Sequence, residues 1–182
     1  MSSDNAIIDE DTARFFVWAV WNFFTTSTNI EAQVGAPFLC EAYDHHDYTG
    51  IIGVSGNRKG TLFFTIGRDC MTELIERGCQ HIKRDTLDEE TYEELVKDYT
   101  GEIANTVSGN VRNYLGEHFL ISVPVVMAQP GEKIEPIGDQ QGIVFPITWM
   151  EHNCSLILCF ERRFVDQEGS SESLESLILS ES

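Results

Sequence analysis

The stretch Asp98-Tyr-Thr-Gly-Glu102-Ile-Ala-Asn105-Thr-Val-Ser-Gly109 decides the fold, because it puts polar side chains at helical spacing where a core would need apolar ones. At about 100° per residue, Asp98, Glu102, Asn105 and Gly109 fall within a stripe roughly 60° wide. Val96, Ile103, Val107 and Tyr114 point nearly the opposite way and predict the face that packs. One face is therefore core, and the other displays a carboxylate, an amide and a bare glycine. A glycine inside a helix costs about 1 kcal/mol relative to alanine. It also removes the side chain that blocks close approach of a partner. Thr86-Leu-Asp-Glu89 fits a capping box at the start of this helix, and Gly116 fits its C-terminal stop.

Upstream, Asp11 to Asn29 reads as a helix apolar on nearly all sides, through Phe15, Phe16, Val17, Trp18, Val20, Trp21, Phe23 and Phe24. Such a helix is buried in the fold or at an interface. Phe38 to His46 and Gly50 to Ser55 read as strands, with Gly56-Asn-Arg-Lys-Gly60 turning into a further strand, Thr61 to Ile66. Asp69 is the expected N-cap of a helix ending near Gly78. Downstream, strands are expected around Phe119 to Met127, Gln141 to Trp149 and Asn153 to Glu161, with Pro130, Gly131 and Pro136 marking turns. This order gives an α+β domain, with long helices laid on an antiparallel sheet. Boundaries are expected at a flexible 1–10, a domain over 11–164 and an acidic, serine-rich, disordered tail over 165–182. Leu174, Leu177, Ile178 and Leu179 leave room for a short docking helix in that tail.

At 182 residues the chain is one domain, or one domain of two similar halves, and 42% hydrophobic residues suffice for a core. A net charge of −18, with 12 basic against 30 acidic residues, argues against nucleic acid and anionic membrane surfaces as partners. No apolar run of 18 or more residues predicts a membrane span. The start Met-Ser-Ser-Asp-Asn lacks a basic n-region, so a cytoplasmic location is expected. Five cysteines without a Cys-x2-Cys pair are expected to be reduced thiols rather than a disulfide framework or zinc site.

The pattern Asp-x3-Glu-x2-Asn-x3-Gly resembles the signature of the CheC/CheX/FliY phosphatases, which remove the aspartyl phosphate of the chemotaxis response regulator CheY. All four positions are present as Asp98, Glu102, Asn105 and Gly109. Gly50-Ile-Ile-Gly-Val-Ser-Gly56 with Gly60-Thr-Leu-Phe-Phe-Thr-Ile66 is similar to the family's hairpin. Ile121-Ser-Val-Pro-Val-Val126 and Gly142-Ile-Val-Phe-Pro-Ile147 are similar to later strands, so the likeness runs from about 12 to 163. Ala19-Val-Trp-Asn22 is a faded echo of the motif that keeps the asparagine and replaces the acid. One intact copy matches CheX better than CheC. The resemblance implies a CheX/CheC-like fold of two pseudo-similar halves, a homodimer, and a phosphorylated CheY-like receiver domain as partner.

An aspartyl phosphate is an activated acyl phosphate, so its hydrolysis needs a positioned water more than a strong base. A neutral carboxamide suits that task, as the glutamine of small GTPases does. By resemblance Asn105 orients the attacking water and Glu102 pairs with the receiver's active-site lysine. The receiver supplies its own Mg²⁺, so no metal or cofactor is expected in this chain. Asp98, Gly109 and Arg112 are read as motif support and docking, with Arg112 on the same stripe. Asp44-His-His-Asp47 has metal-ligand residue types, but adjacent strand residues point to opposite faces, and a polar turn is expected there. The competing functions are a non-catalytic receiver- or flagellar-switch-binding module of the same fold, and a ligand-sensing or structural dimer whose stripe is merely solvated.

Overall fold

The computed structural model describes residues 8–161, apart from Gln80, Pro130, Glu132 and Asp139. Helix α1 runs Glu10–Thr28, and its N-cap Asp9 accepts a 2.7 Å hydrogen bond from the Thr12 amide. Short strands β1 (Gln33–Val34), β2 (Phe38–Cys40) and β3 (Tyr43–Asp44) follow, then the hairpin β4 (Tyr48–Gly56) and β5 (Gly60–Ile66). Helix α2 spans Arg68–Gly78 and the motif helix α3 spans Glu89–Leu115. The chain continues through β6 (Phe119–Ile121), β7 (Val125–Met127) and β8 (Lys133–Ile134) to a second hairpin, β9 (Gln140–Trp149) and β10 (His152–Glu161).

Among the described residues, eight strands form one antiparallel sheet in the order β1-β9-β10-β5-β4-β6, with β2 also on β9 and β7 also on β4. The expected two halves are visible in the order of elements. Each half is a long helix, then short edge strands, then a long hairpin. The halves interlock, because β1 and β2 of the first pair with β9 of the second, while β6 and β7 pair with β4. Strands β5 and β10 join the hairpins in the centre. Strands β3 and β8 form a separate two-stranded ribbon.

Alternation along the long strands divides the sheet into two faces. Ile143, Phe145, Ile147 and Trp149 of β9 share one core with Phe16, Val20 and Phe24 of α1 and Val96, Ile103 and Val107 of α3. Val144, Ile157 and Cys159 point the other way and are covered by Tyr43 and Ile134 of the ribbon. Each large side chain buried this way contributes about 1.5–3 kcal/mol.

Several expectations shift by a residue or two, and some fail for identifiable reasons. The N-cap of α3 is Asp88, which accepts 2.8 Å from the Thr91 amide, whereas Thr86 sits in a 3₁₀ turn and donates to the Lys83 carbonyl. Helix α2 begins at Arg68 with Gly67 as its cap, so Asp69 lies inside the first turn. Its leading amide is held instead by Asp47, whose Oδ2 accepts from Arg68 N at 2.7 Å. The strand expected over Phe119 to Met127 is two strands interrupted at Ser122–Pro124, and that expected over Phe38 to His46 is also two. Helix α1 is not apolar on all sides in use: its core face is continuous, while Trp18 is 38% exposed. Tyr114, expected in the core, is 54% exposed and stacks on Phe15 at 4.2 Å. The turn expected at Pro130 and the tail expected over 165–182 lie outside the described residues.

Candidate functional site

Helix α3 lies close on the sheet because the residues beneath it are small. A Cβ on Gly50 of β4 would stand 2.8 Å from Ala104 Cβ and 2.9 Å from the Thr100 carbonyl, so only glycine permits this approach. On the helix side Thr100 and Ala104 make this contact, and Gly101 and Ser108 are buried along the same helix. The two buried hydroxyls are satisfied within the helix, Thr100 on the Val96 carbonyl at 2.7 Å and Ser108 on the Ala104 carbonyl at 2.8 Å. Gly101 packs toward Pro124 and Val126. Sequence reading missed this small-residue seam, although the run Thr-Gly-x2-Ala-x3-Ser was visible in the motif itself.

The start of α3 is tied to α2 and β4. Arg68 pairs with Glu93 and, at 3.0 Å, with Glu89, and the Tyr48 hydroxyl donates 2.9 Å to Glu93. The Arg84 guanidinium lies 4.1 Å over the Tyr92 ring. At the other end, Gly116 takes φ 85°, and its amide donates to the Arg112 carbonyl at 2.9 Å. A helix anchored at its base and at both ends presents its outer stripe on a rigid element.

That stripe is where the expected site residues stand. Asp98, Glu102, Asn105 and Arg112 are exposed, while the intervening Thr100, Gly101, Ile103, Ala104, Val107, Ser108 and Val111 are buried. Among the described residues, no hydrogen bond or ion pair engages the side chains of Asp98, Glu102, Asn105 or Arg112. Glu102 and Asn105, three apart, carry their Cβ atoms roughly 5–6 Å from each other. A Cβ on Gly109 would meet no atom within 4 Å, so the space above it is open. Beside Glu102, burial raises the pKa of the Tyr99 phenol, with Cys79 and the Glu102 carboxylate adding to the shift. A neutral phenol therefore borders the stripe.

The other sequence candidates are brought to different places. On α1, Ala19, the counterpart of Glu102, is fully buried, so the echo at Asn22 does not form a second exposed pair. The Asp44–Asp47 segment is occupied in structure. His45 is buried with Nδ1 donating 2.8 Å to the His46 carbonyl, the His46 amide donates 2.6 Å to Thr65 Oγ1, and Asp47 caps α2. Among the described residues, no three His, Cys, Asp or Glu side chains stand together so as to hold a metal ion. The five cysteines are free thiols, and burial pushes that of Cys159 up to about 11. No helix of the described residues is long and apolar enough to cross a membrane.

Residues 48–148 match the family model of the chemotaxis phosphatase CheX, and the whole polar stripe falls inside that span. No curated protein matches this chain. Among solved structures, a CheC-like superfamily protein from Shewanella sp. PV-4 is 28% identical, with 85% of this chain and 99% of that one covered and a TM-score of 0.71. Chemotaxis protein CheX from Vibrio vulnificus is 24% identical over 83% of this chain and 99% of that one, with a TM-score of 0.71. The fold is also that of the CheX chain in a CheX–CheY–BeF3–Mg complex from Borrelia burgdorferi, at 18% identity, 84% and 99% coverage and a TM-score of 0.71.

Proposed function

The chain belongs to the CheX family of chemotaxis phosphatases, and on that basis we propose that it hydrolyses the aspartyl phosphate of a CheY-like receiver through Asn105 and Glu102. One observation carries this reading. Glu102 and Asn105 stand one turn apart on a helix held at both ends, exposed and without a side-chain partner among the described residues, next to the open space over Gly109. An exposed carboxylate and amide with no partner among the described residues are free to engage another molecule.

The roles follow from the groups. The Asn105 carboxamide oxygen accepts a hydrogen bond from a water and places it in line with the phosphorus, opposite the aspartyl oxygen. As water attacks, the phosphorus–oxygen bond to the receiver's aspartate breaks, the carboxylate leaves and inorganic phosphate forms. Glu102 pairs with the receiver's lysine and fixes the register in which the amide enters. Asp98 and Arg112 bracket that stripe as docking groups, and Gly109 lets the partner backbone approach. The receiver brings the Mg²⁺ that offsets charge on the phosphoryl oxygens.

Turnover is the test. A small fraction of this protein added to phosphorylated receiver should release phosphate catalytically, whereas a pure docking module would leave the phosphate's lifetime unchanged. The homodimer belongs to the same reading. With much of the α1 surface given to the core, the exposed Leu120, Val123 and Val125 around the β6–β7 edge offer contact surface. Light scattering at micromolar concentration should return twice the chain mass of 20.6 kDa, and a monomeric mass removes the dimer from the account.

A further inference from the structure

An apolar groove of about 440 Å³ runs along the outer side of α1, and the proposed chemistry makes no use of it. Val17, Trp18 and Trp21 form one wall, Val34 and Pro37 the other, and Phe145 lines it from β9. It continues into a second hollow of about 220 Å³ beside Phe38 and Leu39, which are 51% and 59% exposed. Hollows of this size lined by aromatic and aliphatic side chains suit a short amphipathic segment better than isolated solvent.

We propose that the occupant is this chain's own segment Ser173–Leu179, docking its Leu174, Leu177 and Ile178 into the groove. Those three residues follow the i, i+3, i+4 spacing by which a helix fills such a groove. Position supports this. Strand β10 ends at Glu161, paired with Gln140 of β9, and Phe145 lies five residues further along that same strand. At about 3.4 Å per residue the separation is roughly 17 Å. Leu174 stands thirteen residues beyond Glu161, and a random chain of that length has an r.m.s. span of roughly 20 Å. A short tether holds its segment at an effective concentration in the mM range. A groove with a Kd of only about 1 mM is then substantially filled by the tethered segment, while a copy not joined to this one through another surface leaves it empty at μM concentration. This inference does not depend on the phosphatase reading.

Trp18 and Trp21 make the test direct, because Trp149, the chain's third tryptophan, is fully buried. Acrylamide quenching of tryptophan fluorescence should be compared between the full chain and its Leu177→Glu/Ile178→Glu variant. The quenchable fraction should rise toward two of the three tryptophans in the variant. A chain ending at Gly169, which keeps every described residue, should behave as the variant does. A synthetic peptide of residues 170–182 at about 1 mM should restore its protection. Equal quenching of full chain and variant overturns the proposal. If that shared quenching grows on dilution, the occupant is a second copy; if it is independent of concentration, the groove stands open.

Discussion

Replacing Gly109 by alanine separates folding from function, because the two effects should run in opposite directions. Gly109 lies inside α3 with no left-handed backbone to protect, and a Cβ there meets no atom within 4 Å. The substitution therefore introduces no clash and gains the helical preference of alanine over glycine, about 1 kcal/mol. In a domain of this size that raises Tm by roughly 2–4 °C. In the docked complex the same methyl occupies space reserved for the partner. Overpacking of that kind costs about 1–3 kcal/mol, or roughly 5- to 150-fold in kcat/KM. Thermal melts followed by circular dichroism and steady-state phosphate release from phosphorylated receiver give both numbers from one preparation. A lower Tm would show that the helix is not seated as described. A higher Tm with unchanged kcat/KM would show that nothing docks over Gly109.

Gly50→Ala should do the reverse at the buried end of the same contact. Its Cβ meets Ala104 Cβ and the Thr100 carbonyl below 3 Å, neither a movable tip, so α3 must lift; a loss of about 1–3 kcal/mol and roughly 2–12 °C in Tm is expected, and an unchanged melt refutes the close seating. Glu102→Ala should leave Tm within about 1–2 °C, since exposed substitutions stay near 0.5 kcal/mol. It should weaken receiver binding and flatten its salt dependence, and an unaltered salt slope would remove the lysine pairing. Asp9→Ala should cost about 1 kcal/mol at neutral pH through the lost N-cap. The hydrogen bond from the Thr12 amide holds the Asp9 carboxyl below its ordinary 3.8, so its contribution is complete above that pH and is lost as the pH falls through the folded value. The gap between wild type and variant should therefore narrow below about pH 3.8, and a gap that is constant down to strong acid would contradict the cap.

Features written in a single element were legible in the sequence, and features that need two elements were not. The polar stripe and the buried Val96, Ile103 and Val107 emerged from the 3.6-residue period alone. Gly56 at φ 93° and Gly116 at φ 85° ended their elements where glycine was needed. Tyr114 failed because α3 outruns the core there, and the ring finds Phe15 and Trp18 on α1 instead. The cap of α2 failed because its acceptor, Asp47, stands 21 residues away. Strands β1, β3 and β8 are two residues long and carry no period; only their partners define them. The break at Ser122–Pro124 was within reach, since proline cannot donate to the ladder and Ser122 Oγ takes the Gly53 amide at 2.9 Å. At the site, the type and position of Glu102 and Asn105 were readable, but their freedom from internal partners and the seam that seats them needed the fold.

The water-positioning role of Asn105 is the central claim, and Asn105→Ala tests it when turnover and receiver binding are measured on the same samples. The side chain is exposed and has no partner among the described residues, so the variant should fold normally and bind phosphorylated receiver with nearly unchanged Kd. Loss of water alignment by about 1 Å should lower kcat on the order of 10²-fold. Near wild-type kcat in a variant that still binds would contradict the account.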